Sequence, residues 1–157
     1  MSLEIRGFVP ADLEELKRIT NESFGTVSLD RMIETRFGIL NGHDWSWRKA
    51  RQIDDDVAAH RDGIFVAEED GRILGYITTT LDRAVGKARI PNMAVSAAAR
   101  GKGIGRRLLE HALDYFKREG MAYALIETME GNEAGRHLYP SCGFSEIGRQ
   151  IQYAMKL

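Results

Sequence analysis

A chain of 157 residues is long enough for one domain with a full core and short for two. Apolar residues make up 43% and charged residues 29%, a globular balance, and a formal net charge of −1 gives no long-range pull toward nucleic acid or an acidic membrane. A single cysteine (Cys142), an N-terminus that turns polar at once (Met1-Ser2-Leu3-Glu4) and no apolar run near the roughly 18 residues that span a bilayer lead us to expect a cytoplasmic protein without disulfides.

Leu3–Gly7 reads as a first strand. Pro10 sits where proline suits a helix start, with Asp12, Glu14 and Glu15 placing negative charge in the first turns. Leu13, Leu16, Thr20 and Phe24 continue at helical spacing until Gly25. Helices are expected around Leu29–Phe37 and Trp45–His60, joined by the turn pair Asn41-Gly42. Ile64–Glu68 and Arg72–Leu81 flank Asp70-Gly71 as a hairpin. After the loop Arg83–Gly86, Ala88–Val95 is a strand, and a glycine-rich stretch, Arg100–Gly105, leads into a helix from about Ile104 to Glu119. Its Ile104, Leu108, Ala112 and Phe116 form one apolar stripe, and Gly120 ends it. Ala122–Thr128 is a further strand, Asn132–Ser141 a short helix, and Ser145–Ile147 and Gln152–Lys156 two last strands.

A strand, a crossover helix and a strand in mid-chain imply one parallel pair, and the hairpins on either side imply antiparallel neighbours. Residues 1–157 are therefore expected to form one α/β domain. Its central sheet is mixed and mostly antiparallel, with about seven strands and about four flanking helices.

The richest segment runs from Met93 to Arg107, where a strand enters a helix through Gly101, Gly103 and Gly105. Glycine lets a ligand come within contact distance of the main chain. The free N–H groups and dipole of a helix start make an anion site. Arg100, Lys102, Arg106 and Arg107 put four cations and no acids into eight residues, so the expected anion is a phosphate group. A Walker loop fails because Gly103 follows Lys102, and the dinucleotide fingerprint fails because Arg106 stands where glycine is needed. The pattern [Q/R]-x-x-G-x-[G/A] remains, carried by Arg100, Gly103 and Gly105. A tight packing turn is the plain alternative.

With Ile90-Pro91-Asn92-Met93-Ala94-Val95 before this turn, and Asn132, Ala134, Tyr139, Gly143 and Phe144 after it, the chain resembles the GNAT superfamily of N-acetyltransferases. The two motifs stand in family order and spacing; the first ~85 residues match in element order only. The resemblance implies a GNAT fold, acetyl-coenzyme A as co-substrate without a metal, and a small-molecule or peptide amine as acceptor. Main-chain groups of Met93, Ala94 and Val95 would then pair with the pantetheine arm, with Pro91 removing a ladder donor near the required break. The turn Arg100, Gly101, Lys102, Gly103, Ile104, Gly105, Arg106 would hold the pyrophosphate through its N–H groups, and Asn132 would bond the pantetheine end.

Acetyl transfer to an amine needs a base, because a lysine-like amine has a pKa of about 10.4 and an α-amine about 8. The developing oxyanion needs a donor, expected near Ala94 or Val95, and the leaving thiolate benefits from an acid. The resemblance assigns the acid to Tyr139, a ring under the last strands being the structural alternative. Glu127, twelve residues earlier, resembles the base of the glutamate–tyrosine pair in the ribosomal-protein alanine acetyltransferase branch, with a solvated strand-end carboxylate as the alternative and Glu130 as the fallback. Cys142 reads as a small buried residue. His43, His60, His111 and His137 lack metal-ligand spacing. Asp54-Asp55-Asp56 reads as a solvated helix face, and Trp45 and Trp47 as anchors of their helix or walls of a substrate groove. A homodimer through the last strands is compatible with the pattern. Two rivals stay open: an acyl-CoA-binding module without turnover, and a nucleotide-dependent enzyme using Arg100–Gly105.

Overall fold

The structure, a computed structural model, describes residues 2–25 and 27–157. Its strands are Glu4–Gly7 (β1), Phe65–Glu69 (β2), Arg72–Ile77 (β3), Thr80–Asp82 (β4), Lys87–Ile90 (β5), Met93–Val95 (β6) and Tyr123–Ile126 (β7). The α-helices are Leu13–Ser23 (α1), Leu29–Phe37 (α2), Trp45–His60 (α3), Ile104–Arg118 (α4) and Glu133–Ser141 (α5). The strands form two sheets, β1-β2-β3-β6 and β4-β5-β7. Among the described residues only β5 and β7 run parallel, from Lys87↔Tyr123 to Ile90↔Ile126, with α4 in the crossover between them.

Alternation along β2 decides where the core lies. Phe65 and Ala67 face α4, joining Ile77, Ala88, Leu108, Leu109 and Phe116 in one cluster. Ile64 and Val66 face the other way, joining Leu16, Ile19, Ile53, Tyr76 and Ala94 in a second. A strand covered on both faces reads as the continuous apolar run Ile64-Phe65-Val66-Ala67 rather than as a polar alternation. The one buried phenol of that second cluster, Tyr76, is satisfied at 2.6 Å by the Thr20 hydroxyl. The hairpin turn has Asp70 and Gly71 both at positive φ (53° and 75°), the primed turn whose twist matches its strands.

Two expectations are corrected. The long strands expected at Arg72–Leu81 and Ala88–Val95 are each interrupted, at Thr78-Thr79 and at Pro91-Asn92. Proline gives the ladder no N–H, and the two interruptions face each other, with the Thr78 N–H donating to the Asn92 carbonyl at 2.8 Å. The final strands expected at Ser145–Ile147 and Gln152–Lys156 are absent: residues 145–157 are exposed throughout and belong to no sheet. Period-2 alternation states what a segment does beside a partner strand; it does not place that partner in the same chain.

Candidate active site

The interruption at Pro91-Asn92 separates the two sheets. Up to Ile90 the chain pairs with β7; from Met93 onward it pairs with β3 instead, and its other edge has no strand beside it among the described residues. The bonds flanking β6 set which groups face that edge. Asn92 accepts from the Thr78 N–H and Ser96 donates to the Leu74 carbonyl, both at 2.8 Å. By antiparallel alternation the main chain of Ala94 is turned into the ladder, and that of Met93 and Val95 toward the open edge. The Val95 carbonyl accepts from the Ser23 hydroxyl at 3.1 Å and from Arg100 Nε at 3.4 Å, tying the end of α1 to the turn that follows.

A buried polar cluster clamps the break. Asp56 Oδ2 accepts from Thr78 Oγ1 at 2.8 Å and Asn92 Nδ2 at 2.7 Å, while Lys49 Nζ donates to Asn92 Oδ1 at 2.7 Å. The Asn92 N–H closes the set on Thr78 Oγ1 at 3.0 Å. Asp56 and Lys49 are only 8% and 9% exposed. Burial pushes the Asp56 carboxyl above its ordinary range, against the bonds from Asn92 and Thr78 and the charge of Lys49. Burial likewise pushes the Lys49 ammonium down, against Asp30 and Asp56. Reading Asp54-Asp55-Asp56 as one solvated face missed this. The available signal was phase, because Asp56 falls one turn after Ile53 and Lys49 one turn before it, on the stripe α3 turns inward.

Past β6, Ala97–Ala99 makes a short helical turn, and Gly101 and Gly103 take φ of 79° and 77°, a left-handed pair that only glycine adopts without strain. Gly103 is the N-cap of α4, and its carbonyl accepts the helix's first bond from the Arg107 N–H at 3.1 Å. Side chains cap α2 (Ser28), α3 (Asp44) and α5 (Asn132); α4 has neither a side-chain cap nor an acid in its first turn. The N–H groups of Ile104, Gly105 and Arg106 thus lack intrahelical acceptors at the positive end of a 15-residue helix. Arg100, Lys102, Arg106 and Arg107 are exposed around it. Arg106 also reaches α5, donating to Ser141 Oγ at 2.7 Å and Cys142 Sγ at 3.4 Å.

α5 brings the second motif to the same place. A Cβ on Gly105 would lie 3.5 Å from Leu138 and 3.7 Å from Val95, so β6, α4 and α5 meet there. Asn132 Oδ1 accepts from the Gly135 N–H at 3.1 Å and its Nδ2 donates to Thr128 Oγ1 at 2.8 Å, which makes it the anchor of α5. Gly135 is packed between Asn132 and the Tyr139 ring, and that ring stands edge-on to Phe144 with centroids 6.2 Å apart. Burial pushes the Tyr139 phenol above its ordinary range. Glu127, just past β7, is half exposed and paired with Arg89 at 2.9 Å; Glu130 lies in solvent near Arg149. His43 stacks on Trp47, and His60 bonds the Tyr115 hydroxyl at 2.6 Å, so both have structural partners.

The open strand edge, the uncapped helix start and α5 all fall within residues 15–144, which match the model of the acetyltransferase (GNAT) family. Among relatives, a mycothiol acetyltransferase of Tsukamurella paurometabola is 34% identical over 88 residues, or 55% of this chain and 30% of that protein. A ribosomal-protein alanine N-acetyltransferase of Escherichia coli is 32% identical over 89 residues, or 57% of this chain and 59% of that protein. The matched stretch thus spans less than two thirds of either relative. The paiA N-acetyltransferase of Thermoplasma acidophilum, solved in complex with coenzyme A, shares the fold with a TM-score of 0.71 at 20% identity, covering 92% of this chain and 91% of that one. No helix among the described residues is long and apolar enough to cross a membrane. The chain belongs to the GNAT family of acetyltransferases.

Proposed function

We propose that the chain, acting as one cytoplasmic domain, transfers the acetyl group of acetyl-coenzyme A to a primary amine. The observation that carries this reading is the uncapped, cation-ringed start of α4 beside the open edge of β6. Acetyl-coenzyme A supplies an acyl group activated as a thioester. Its diphosphate suits the N–H groups from Gly101 to Arg106, with Arg100 and Lys102 adding charge. Its pantetheine arm, with alternating amides, suits the outward main-chain groups of Met93 and Val95. Asn132 contributes by fixing α5, and its remaining amide hydrogen is free to reach the arm.

Tyr139 is the proton donor for the leaving sulfur. A phenol whose pKa is pushed up by burial keeps its proton near neutral pH, the form a donor needs. Glu127 is the base, directly or through water, and must share its carboxylate between Arg89 and the amine. A main-chain N–H of Met93 or Val95 is the donor for the carbonyl oxygen as charge develops there. The acceptor stays at the level of class: one relative is named for a ribosomal-protein alanine and another for mycothiol.

The test is thiol release from acetyl-coenzyme A across peptide N-termini, lysine side chains, polyamines, aminoglycosides and amino acids. Release that depends on one class supports the reading. Calorimetric binding of the thioester with no release by any class favours a binding module, and thermal protection by ATP but not coenzyme A favours a nucleotide enzyme.

A further inference from the structure

Resting on the acetyl-transfer reading, we propose that Thr78, Asn92, Asp56 and Lys49 are positioning residues. Without touching either substrate, they aim the Met93 N–H at the thioester carbonyl. The direction of the cofactor singles out that N–H. Its diphosphate end belongs at Gly101–Arg106, beyond Val95, so an arm running back along β6 reaches Met93 last and brings the thioester there. Met93 is also the first strand residue past Pro91-Asn92, where the pairing of β5 with β7 has ended.

The N–H is aimed by the other half of its own peptide unit. The Asn92 carbonyl and the Met93 N–H share one plane and, in a trans peptide, point in opposite directions. The Thr78 N–H holds that carbonyl on the β3 side at 2.8 Å, which turns the Met93 N–H to the open edge. The register of β3 on β6, from Gly75↔Val95 to Ile77↔Met93, brings Thr78 opposite Asn92. A regular antiparallel ladder would return the Asn92 N–H to the Thr78 carbonyl. Instead it donates to Thr78 Oγ1 at 3.0 Å, and that hydroxyl donates to Asp56 Oδ2 at 2.8 Å. Asp56 takes a second bond from Asn92 Nδ2 at 2.7 Å. Lys49 Nζ holds Asn92 Oδ1 at 2.7 Å and is itself steadied by Gln52 Oε1 at 2.9 Å. Both main-chain groups and both side-chain ends of Asn92 are therefore fixed from β3 or α3.

Folding alone does not call for this arrangement. All four residues are at most 9% exposed, and apolar side chains of similar volume often match or exceed the stability of a buried charged pair. Pro91 ends the ladder without them. What apolar packing lacks is direction, whereas a closed set of hydrogen bonds fixes orientation as well as place. Orientation is what a donor to a developing oxyanion requires. Loss of one such donor costs about 10²-fold to 10³-fold in kcat, and a misplacement near 1 Å about 10²-fold.

Three variants test the assignment. Thr78→Val keeps the side-chain shape and removes the hydroxyl, and Thr78→Ser keeps the hydroxyl. Thr79→Val removes a comparably buried hydroxyl that is bonded at 2.7 Å to the Gly63 carbonyl instead of to Asn92 or Asp56. One readout is kcat and KM for acetyl-coenzyme A with the best amine of the acceptor screen. The other needs no amine: the ¹³C shift of the acetyl carbonyl when labelled acetyl-coenzyme A binds. In Thr78→Val, kcat is expected to fall about 10-fold to 10²-fold with KM within about threefold, because the Gly101–Arg106 turn is untouched. The downfield carbonyl shift of the wild-type complex is lost with it. Thr78→Ser and Thr79→Val should stay within about threefold of wild type in kcat and keep the shift. Lys49→Met removes the bond to Asn92 Oδ1 at similar length; it is expected to act as Thr78→Val does, and carries the test if that variant fails to fold. Either variant matching Thr79→Val in kcat and carbonyl shift, or raising KM while kcat holds, would overturn the proposal. Thiol release by no amine class would count against the acetyl-transfer reading, and the carbonyl shift still decides the positioning: a wild-type carbonyl that does not move on binding overturns it.

Discussion

Gly135→Ala tests whether the geometry of α5 matters to chemistry or only to packing. A Cβ at this position would lie 2.6 Å from Asn132 Nδ2 and 3.0 Å from Tyr139 Cε2, whereas ordinary contact begins at 3.4 Å. The asparagine amide must therefore retreat by about 0.8 Å and the ring by about 0.4 Å. Overpacking of this kind costs roughly 1–3 kcal/mol. Gly135 lies inside α5, where alanine is favoured over glycine by about 1 kcal/mol. The two effects nearly offset, so the variant is expected to fold, with stability within about 2 kcal/mol of wild type. Catalysis is less forgiving, because a displacement near 1 Å can cost about 10²-fold. The assay is kcat/KM for the best amine of the acceptor screen, with urea unfolding alongside and Gly131→Ala as control, since a Cβ at Gly131 meets nothing within 4 Å. A drop of 10-fold to 10²-fold in Gly135→Ala with Gly131→Ala unaffected is expected. Turnover within threefold of wild type in Gly135→Ala would refute the claim that Tyr139 must sit where this packing holds it.

Three more outcomes are expected. Tyr139→Phe keeps the ring packed on Phe144 but removes the proton, so turnover should fall about 10²-fold or more with coenzyme A affinity unmoved; unchanged turnover removes Tyr139 from the mechanism. Glu127→Gln should lower turnover by about 10²-fold, while Arg89→Ala, which frees the carboxylate from its ion pair, should lower it far less; equal effects from both variants would make the pair structural. Asp56→Ala leaves the buried Asn92 amide and Thr78 hydroxyl without their acceptor, at about 3 kcal/mol, or a fall in Tm of about 6–12 °C. Its pH dependence has a definite sign. Because burial raises the folded pKa of Asp56 above 3.8, the folded state holds the proton more tightly, so its contribution is present below that value and is lost as pH rises through the folded pKa. Urea unfolding of wild type and Asp56→Asn from acid to neutral pH should show the wild-type advantage shrinking upward; an advantage that grows with pH would contradict it.

How much of this was legible in the sequence depends on whether the deciding signal was local. The glycine turn was, because Gly101 and Gly103 set their own backbone and the stripe Ile104, Leu108, Ala112, Phe116 fixes the face α4 buries. The parallel pair followed from the order of strand, helix and strand. The interruptions at Thr78-Thr79 and Pro91-Asn92 were half visible: Pro91 announced a lost donor, but the clamp that exploits it joins Asp56 and Lys49 of α3 to residues 22 to 43 positions away. A carboxylate in a run of three acids looks solvated until the helix phase turns it inward. Among the three strand residues expected to face the ligand, only register could show that the main chain of Ala94 is engaged by β3. The tail failed for a related reason: its alternation is plain, but alternation does not name the strand it pairs with.

The most direct measurement is a titration of coenzyme A into ¹⁵N-labelled protein, following the amides from Gly101 to Arg106. They should shift saturably with the dissociation constant found by calorimetry, while the amides of Arg31 and Trp47, already bonded to the capping side chains of Ser28 and Asp44, stay in place. Calorimetric binding with the Gly101–Arg106 signals unmoved would contradict the account.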